Sequence, residues 1–333
     1  VINSTYIGNA EGLLDTGYQL NNVTINISRI LTVNYYDNYA FLDLSKVSPY
    51  KTKLTCQSMN GYASQYVNEI YPEISAKSLL TGTRMFMLGA DPQETISVTY
   101  YDDRGRVAQT KSTNHLGGFD NNYFAYTFTG KPLKHFHEHT ANGKPSTKEL
   151  TAYTYDHAER LLKTTHSLNG STPVILAENT YDDMGRLQSK KQHGGVEITN
   201  YAYNLRSWLK GITTTNNRFS ETLYYNESSN GSIPCYNGNI SAMNWKVQND
   251  TQRGYNFHYD DLSRITAADY QNNEANTDKN YSTTYAYDNM GNIKNLRRYG
   301  LSAKPSIFGI IDDLTLSYNG NQLSSVTDAS TGE

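Results

Sequence analysis

The sequence predicts an all-β protein in which antiparallel hairpins form a long, curved or spiralling sheet. Two observations lead to this fold class: the composition, and a motif that recurs along the chain. Of the 333 residues, 37% are hydrophobic and 18% are charged, so neutral polar residues are abundant. The 29 tyrosines far outnumber the 9 phenylalanines. Tyrosine and threonine suit a half-buried pleated surface, and a tyrosine hydroxyl can reach water or a polar partner.

Charge and hydropathy disfavour two classes of function. The formal net charge is −3 and lysines and arginines form no cluster, which argues against nucleic-acid binding as the main task. No apolar stretch approaches the roughly 18 residues of a transmembrane helix. The first residues, VINSTYIGNA, lack the layout of a signal peptide. Because the chain opens in strand-like sequence and closes at SVTDASTGE, we expect it to be part of a longer protein.

The recurring motif starts with tyrosine and aspartate and ends on an aliphatic residue. Six copies share one frame: YDDRGRV at 101, YDHAERL at 155, YDDMGRL at 181, YNLRSWL at 203, YDDLSRI at 259 and YDNMGNI at 287. Looser copies are YNGNIS at 236 and YNGNQL at 318, and FTGKPL at 128 has the form of a unit shortened by one residue. The intervals between copies range from 22 to 33 residues. Such variable intervals fit hairpins with connections of different length better than a rigid solenoid.

The copy Tyr181–Leu187 predicts the structure of one unit. A hairpin loop of three residues, in which a type I turn is followed by a left-handed residue, favours glycine at the third place. Residues 183–185 fill this loop, so Gly185 takes the positive φ. In that register Asp182 faces Arg186 and closes the loop. The leading tyrosine then faces the final leucine on the opposite face of the sheet.

The flanking residues alternate as strands do. Tyr201 and Tyr203 share one side of a strand because they are two residues apart, and the other copies show the same spacing. The copy at 101 differs from the others, because Ile96, Val98 and Tyr100 lie on the strand face opposite to that of Tyr101. A bulge or an altered loop register is expected there.

The first ninety residues repeat less clearly. We predict an irregular, β-rich opening region over residues 1–90 and a repeat region over residues 91–333. Within the first region, residues 24–33 alternate as a strand, and residues 67–80 are the best helical candidate although Pro72 interrupts them.

The recurring Tyr-Asp-x-x-Gly-Arg-Leu pattern resembles the YD repeat of the Rhs family. The resemblance covers residues 91–333 well and residues 1–90 weakly, and the Asn- and Tyr-rich style resembles Rhs-type proteins of Bacteroides-like bacteria. It implies a strip of antiparallel sheet that spirals into a hollow shell around a toxic C-terminal polypeptide, or that supports adhesion in teneurin-like relatives. It also implies a secreted or cell-surface location, and the remainder of the same polypeptide as the partner.

One departure from the family limits what the resemblance implies. The family's shell usually ends in an Asp-Pro-x-Gly type motif whose aspartates carry out self-cleavage. The only Asp-Pro here is Asp91-Pro92, and Gln93-Glu94 follows it instead of the glycine. The self-cleaving site and the toxin are therefore expected beyond Glu333. The resemblance assigns no catalytic, metal-binding or cofactor-binding residue, and no cofactor.

The run HFHEH offers a possible metal site. His135, His137 and His139 share one face if this segment is a strand, and two imidazoles can bind zinc. Residues on one face are about 6.5–7 Å apart along a strand, so three ligands on one ion would require a bend. The favoured interpretation is a polar hairpin arm with Phe136 and Glu138 on its other face.

Acidic pairs invite an interpretation as an active site or a calcium site. Three of them fall inside motif loops, where hairpin closure explains them, whereas Asp312-Asp313 has no Gly-Arg after it and is left open. The oxygen-rich D-x-D-x-D-G loop is absent. The chain also lacks a G-x-S-x-G elbow and a phosphate-binding loop. We therefore expect no enzyme. The acidic pairs are Asp102-Asp103, Asp182-Asp183, Asp260-Asp261 and Asp312-Asp313.

Three functional hypotheses follow. The first is a non-catalytic wall that encloses or scaffolds a cargo. The second is an adhesin or carbohydrate-binding module in which Trp208 and Trp245 contact a glycan, with a cell-surface protein or glycan as partner. The third is a carbohydrate-active enzyme, which would need two carboxylates about 5–10 Å apart across a cleft. Cys56 and Cys235 either pair in an oxidising compartment or, as favoured here, stay unpaired.

Overall fold

The computed structural model describes residues 3–6, 15–21, 30–65, 76–87, 93–272, 280–301 and 307–330. The chain divides into two compact units, Val1–Glu178 and Asn179–Glu333. In the described residues, both consist mainly of antiparallel strands, so the predicted all-β class and hairpin architecture are confirmed. None of the helices in the described ranges is long and apolar enough to cross a membrane.

The first unit contains a pair of short strands and a series of longer ones. β1 and β2 pair with each other, and each strand from β3 to β10 pairs antiparallel with the next. The strands are β1 (Asn3–Tyr6), β2 (Tyr18–Asn21), β3 (Thr32–Asp37), β4 (Ala76–Phe86), β5 (Glu94–Tyr101), β6 (Val107–Thr113), β7 (Phe119–Tyr126), β8 (Pro132–His139), β9 (Thr147–Tyr155), β10 (Leu161–Leu168) and most of β11 (Val174–Tyr181).

Residues 38–65, which we call the cap, cover one face of this unit. The cap contains two short 3₁₀ turns, Ala40–Asp43 and Ser48–Tyr50, and one helical turn, α1 (Lys51–Leu54). Apolar side chains of the cap pack against β3 and β5 and form the core of the unit. This core consists of Tyr35, Phe41, Leu42, Leu44, Val47, Leu54, Ile96, Val98 and Tyr100, all at most 4% exposed.

The cap explains why the strand before Tyr101 has its apolar residues in the other phase. The expected bulge is present between Tyr100 and Tyr101. The same register shift also occurs in hairpins with ordinary phase, for example at Tyr259 and Tyr287. The bulge is therefore a property of the three-residue loop. The altered phase arises because the cap buries the face of β5 that carries Ile96.

The second unit is a series of hairpins in which each strand from β12 to β21 pairs antiparallel with the next. The strands are β12 (Leu187–Gln192), β13 (Glu197–Tyr203), β14 (Leu209–Thr214), β15 (Phe219–Tyr224), β16 (Ala242–Val247), β17 (Arg253–Tyr259), β18 (Ile265–Asn272), β19 (Thr283–Tyr287), β20 (Ile293–Leu301), β21 (Phe308–Asn319) and β22 (Gln322–Asp328).

Several sequence predictions for the opening region meet the structure only in part. Residues 76–80, at the end of the candidate helix, belong to strand β4 instead. Residues 32–33 of the strand expected over 24–33 lie in β3. The remaining residues, 24–29 and 67–75, lie outside the described residues. The predicted boundary near residue 90 and the predicted curvature of the sheet stay predictions.

Candidate functional site

The loop of the motif Tyr181–Leu187 has the predicted geometry. The N–H of Asp182 donates to the carbonyl of Arg186 at 2.9 Å, and the N–H of Gly185 donates to the carbonyl of Asp182 at 2.8 Å. The Asp182 carboxylate accepts the N–H of Arg186 at 2.9 Å and its Nε at 2.7 Å. Gly185 has a φ of 80°. The closing pair and the left-handed third residue are therefore confirmed.

Other copies repeat this closure. Nε of the arginine lies 2.6–2.7 Å from the aspartate Oδ2 in three further loops, closed by Asp102–Arg106, Asp156–Arg160 and Asp260–Arg264. Where Asn292 replaces the arginine, its side-chain amide donates to Asp288 at 2.9 Å. The predicted facing of the leading aromatic and the final aliphatic residue is also confirmed, in Tyr101–Val107, Tyr155–Leu161, Tyr203–Leu209, Tyr259–Ile265 and Tyr287–Ile293.

The closure favours the charged form of several loop aspartates, among them Asp260 and Asp156. For Asp260, the backbone N–H of Arg264 is the largest influence, and with the guanidinium it outweighs desolvation, so the pKa of Asp260 lies below its usual value. The pKa of Asp156 is lowered in the same way by Arg160. Burial acts in the opposite direction on tyrosine, and it raises the pKa of Tyr100 in the core.

A second feature of the repeats links each hairpin to the preceding one. The hydroxyl of the leading tyrosine of a repeat donates to a backbone carbonyl at 2.7–3.0 Å. The acceptor is the final residue of the preceding repeat or, for Tyr101, Leu80 within β4. We call this series the hydroxyl ladder. Its members are Tyr101 to Leu80, Tyr126 to Val107 and Tyr155 to Pro132 in the first unit, and Tyr203 to Leu187, Tyr225 to Leu209, Tyr259 to Ile240, Tyr287 to Ile265 and Tyr318 to Ile293 in the second.

The hydroxyl ladder was not predicted from the sequence. The excess of tyrosine indicated that its hydroxyl reaches water or a polar partner, but not which carbonyl accepts the bond. The available signal was the excess of tyrosine over phenylalanine, because phenylalanine fills the same space on a sheet but cannot donate this bond. The ladder explains why the motif begins with tyrosine.

The motif arginines also reach the next unit. The guanidinium of Arg186 lies over the ring of Tyr203 at 4.8 Å, and its Nη1 donates to the carbonyl of Asn204 at 3.1 Å. Arg264 lies over Tyr287 at 4.6 Å in the same manner. Each such arginine therefore closes its own loop and contacts the following one.

The predicted alignment of the copy at 128 is wrong. The unit is not shortened: it begins at Tyr126, which pairs with Pro132, and Thr127 accepts the N–H of Lys131 at 3.0 Å in place of the aspartate. Phe128 is an exposed loop residue. Because threonine and lysine replace the aspartate and arginine of the motif, the sequence pattern did not reveal this register.

The copy at 236 is also misaligned. Tyr236 is exposed in the connection between β15 and β16, and its carbonyl accepts a bond from Arg206, as the carbonyl of Phe128 does from Arg104. The tyrosine that donates to the preceding unit is Tyr225. A longer connection separates Tyr225 from the rest of its unit, so the sequence spacing concealed it.

The acidic pairs have structural roles. The first aspartate of each of the three loop pairs closes its hairpin, as predicted. The pair that the sequence left open lies on β21, where Asp312 forms an ion pair with Arg298 at 2.7 Å and Asp313 forms one with Arg297 at 2.8 Å. These pairs join directly opposite residues of β20 and β21.

The histidines of HFHEH contact polar residues on neighbouring strands. His135 Nε2 lies 2.8 Å from the Asn122 amide oxygen, and His139 Nδ1 lies 2.6 Å from Asp120. His137 lies between Asp120 and Glu149, at 3.3 Å from each. Burial acts against ionisation of Asp120, but its hydrogen bonds outweigh burial and lower its pKa. In the described part of the chain, no three His, Cys, Asp or Glu side chains are grouped to hold a metal ion.

The two tryptophans line separate grooves of the second unit. Trp208 lines a groove of about 520 Å³ together with Arg186, Arg206 and Glu227, among others. The guanidinium of Arg206 lies 5.1 Å from the Trp208 ring centre, and the Tyr225 ring lies 4.9 Å away. Contacts within the chain therefore already occupy much of this indole.

Trp245 lines a groove of about 420 Å³ and stacks on Tyr255 at 5.6 Å. Glu227 is the single carboxylate among the described residues that line the first groove, and none lines the second. Neither groove presents the pair of carboxylates that a glycosidase needs. Cys56 and Cys235 are both free thiols.

Comparison of the chain with solved structures gives matches at low identity. No family model and no curated protein matches it. A crystal structure of TcdB2-TccC3 without the hypervariable C-terminal region is 13% identical, with a TM-score of 0.37, and the match covers 79% of this chain and 17% of that one. A second TcdB2-TccC3 structure is 10% identical, with a TM-score of 0.24, covering 80% and 20%.

A porin-like protein from Bacteroides uniformis is 11% identical, with a TM-score of 0.26, and the match covers 70% of this chain and 96% of that one. The chain thus spans 20% or less of the two TcdB2-TccC3 chains. At these identities and TM-scores the likeness does not extend to function.

Proposed function

We propose that this chain is a non-catalytic wall segment of a bacterial Rhs-type protein, secreted or exposed at the cell surface. In this proposal the repeats over residues 91–333 form a shell that encloses or scaffolds a toxin-like C-terminal cargo on the same polypeptide. Residues 1–90 form the opening region of the same wall.

The hydroxyl ladder is the observation that supports this proposal most strongly. In the described part of the chain, eight tyrosines donate to a backbone carbonyl of the preceding hairpin, so this contact recurs along the chain and joins one hairpin to another. A hydrogen bond to a backbone carbonyl constrains the spacing between neighbouring hairpins. A repeated contact of this kind suits a continuous wall, whereas an active site needs a single convergent group of side chains.

Protease protection in the full-length gene product tests enclosure. We expect the polypeptide after the repeats to resist protease in the wild type and to be digested in a variant that lacks three members of the ladder, Tyr203→Phe, Tyr287→Phe and Tyr318→Phe. The matched control is the triple variant Tyr153→Phe, Tyr201→Phe and Tyr285→Phe. In the described part of the chain, these three hydroxyls make no hydrogen bond. Digestion of the following polypeptide in the wild type, with the repeats intact, would contradict enclosure.

A second candidate function is glycan binding by an adhesin with the same fold. Two grooves that each contain a tryptophan and polar side chains favour it. Binding of the chain to a glycan array that disappears in Trp208→Ala or Trp245→Ala would support this function. The wall ranks first because both indoles are already packed against aromatic side chains of the chain itself.

A further inference from the structure

The motif loops of the second unit carry a row of exposed apolar side chains. Successive strands are antiparallel, so every second connection lies at the same edge of the sheet. Five loops at this edge each present a large apolar side chain, and the connection between β15 and β16 also exposes Ile233, at 64%. We call one such side chain from each loop the tip row. They are Met184, Leu205, Tyr236, Leu262 and Met290, with exposed fractions of 66%, 99%, 70%, 71% and 73%.

The distance between strands sets the distance between the loops that carry the tip row. Neighbouring loops are two strands apart, which is about 9.5 Å, so the five tips extend over about 40 Å. Single exposed apolar residues are common on protein surfaces, but a continuous series of them marks an interaction site.

Hydrogen bonds between neighbouring loops hold the tip row in place. Each bond joins the loop of one tip to the loop of the next, so the row is ordered before any partner binds, which lowers the entropic cost of association. The bonds are Arg186 to the Asn204 carbonyl at 3.1 Å, Arg206 to the Tyr236 carbonyl at 3.1 Å, Asn237 to the Ser263 hydroxyl at 3.0 Å and Arg264 to the Asp288 carbonyl at 3.1 Å.

Among the charged groups beside the tips, carboxylates without an ion pair outnumber cations without one. Asp183 precedes Met184 and Asp261 precedes Leu262, and neither carboxylate has a hydrogen bond or ion pair in the described part of the chain. The arginines of the Met184 and Leu262 loops are paired with other aspartates, whereas Arg206, beside Leu205, donates to the Tyr236 carbonyl and forms no ion pair in the described residues. A cationic partner therefore complements this edge, whereas an anionic bilayer surface does not.

The row also contains a concave element. Met184, Leu205 and Tyr236 all line the groove of about 520 Å³ that holds Trp208. An apolar side chain of a partner can enter this groove while its neighbours contact the remaining tips. Buried anchors of this type, next to Trp, Tyr and Arg, dominate the binding energy of many interfaces.

We propose that the tip row binds a lysine- or arginine-rich polypeptide in an extended polyproline II conformation, with an apolar side chain at every third residue. Three residues of this helix advance about 9.3 Å, which matches the spacing of about 9.5 Å between the loops. Seven residues of an α-helix advance about 10.5 Å, so a helical partner falls out of register along the row.

Fluorescence anisotropy with the intact chain and a labelled peptide of repeated Leu-Pro-Lys triplets tests this proposal. We expect saturable binding that the double variant Leu205→Ser and Leu262→Ser weakens about tenfold. Both side chains are largely exposed, so the variant keeps its fold. Val247→Ser is the matched control, because Val247 is 51% exposed at the end of β16, at the opposite edge of the sheet. This variant should bind as the wild type does.

Further experiments test the charge and the conformation that we propose for the bound polypeptide. Asp183→Asn with Asp261→Asn should weaken binding and reduce its salt dependence, and repeated Leu-Pro-Glu triplets should not bind. The proposal is wrong if the wild type shows no saturable binding, if the Glu peptide binds equally, or if Val247→Ser weakens binding as much as the tip variant. It is also wrong if the chain binds only a helical peptide with leucine at every seventh residue, or if it binds phosphatidylserine vesicles through the tips instead.

Discussion

The strands beneath the cap and the hairpin of β19 and β20 differ in how far their side chains are buried. Under the cap, Ile96, Val98 and Tyr100 are at most 2% exposed and pack into a core. In β19 no residue is buried, and in β20 only Gly300 is. Yet the hairpins that begin at Tyr101 and Tyr287 both close through a loop aspartate, and both tyrosines donate to the preceding unit at 2.7 Å.

The comparison shows that the hairpin unit does not require an apolar core. Loop closure and the hydroxyl ladder recur in both settings, so they belong to the unit itself, while the cap adds burial to one part of the first unit. The stability of a region held mainly by polar contacts should depend on other residues than the stability of a region held by apolar packing. Substitutions in each region can therefore test this contrast.

Removing a ring from the core should have the largest effect. Phe41 is 1% exposed and stacks on Tyr35 at 4.4 Å, so Phe41→Ala should lower the free energy of unfolding by about 3–5 kcal/mol. Amide hydrogen exchange in β4 and β5 measures this loss. The matched control is Phe257→Ala in the second unit, where the half-buried ring should cost about 1–2 kcal/mol. Equal losses would contradict the contrast between the two regions.

A β-branched residue in a motif loop should destabilise the hairpin through its backbone alone. Gly291 has a φ of 91°, and a β-carbon there would meet no atom within 4 Å. Gly291→Val should therefore cost about 1–3 kcal/mol of conformational strain. Exchange protection in β19 and β20 measures it. Gly309→Val is the control, because that position is equally open but lacks the positive φ. If both variants lose the same protection, the loop assignment is wrong.

Replacing a buried amine under the cap should stabilise the first unit. Lys111 is 1% exposed, burial lowers its pKa, and its amine makes no hydrogen bond in the described part of the chain. Lys111→Met should raise the free energy of unfolding by about 1–2 kcal/mol, because an unsatisfied buried group is removed. The exposed Lys134→Met should change it by less than about 0.5 kcal/mol. A loss of stability in Lys111→Met would show that the amine has a partner in solution.

Removing one hydroxyl of the ladder should have a smaller effect. Tyr287→Phe loses the 2.7 Å bond to the Ile265 carbonyl, which should cost about 1 kcal/mol. Tyr285, two residues earlier on the same strand, makes no such bond in the described part of the chain, so Tyr285→Phe should be nearly neutral. Urea denaturation of the two variants compares them. Equal destabilisation would mean that ring packing, not the hydroxyl, links the hairpins.

Loop closure should make the hairpins sensitive to acid. The pKa of Asp260 is lowered in the folded state, so its contribution is present above the usual aspartate pKa of about 3.9 and is lost as the pH falls through the lower folded value. Asp260→Asn should flatten the fall of thermal stability in this acid range. An unchanged pH profile in this variant would contradict the prediction.

The core beneath the cap should lose stability at alkaline pH. Burial raises the pKa of Tyr100, so its neutral form stabilises the folded state up to the usual tyrosine pKa of about 10 and loses this effect above it. Exchange protection in β5 followed from neutral to alkaline pH measures it. Protection that persists unchanged in strong alkali would contradict the burial of this hydroxyl.

Much of the motif could be predicted because its interactions are local. The aspartate, the arginine and the left-handed residue lie within four residues of one another, so turn geometry alone determines their contacts. The same locality explains why the acidic pairs were recognised as loop residues. The role of Asp312 and Asp313 could not be predicted because their ion-pair partners, Arg298 and Arg297, lie on another strand.

Two copies of the motif could not be aligned correctly from the sequence. Thr127 and Lys131 replace the expected aspartate and arginine, and the hydrogen bond between them is visible only in the folded hairpin. The sequence also could not show that Tyr225, and not Tyr236, belongs to the ladder, because that choice depends on how the connection between β15 and β16 folds.

The all-β class, the loop register and the closing pair of each regular hairpin can be predicted from the sequence. The tertiary structure was needed to show which carbonyl each motif tyrosine binds, since donor and acceptor are 16–25 residues apart and meet only when neighbouring hairpins pair. It also decided which face of β5 is buried, because the cap is irregular in sequence and covers that face through long-range apolar packing. Short-range geometry can be recognised in the order of residues, whereas packing between distant segments requires the folded chain.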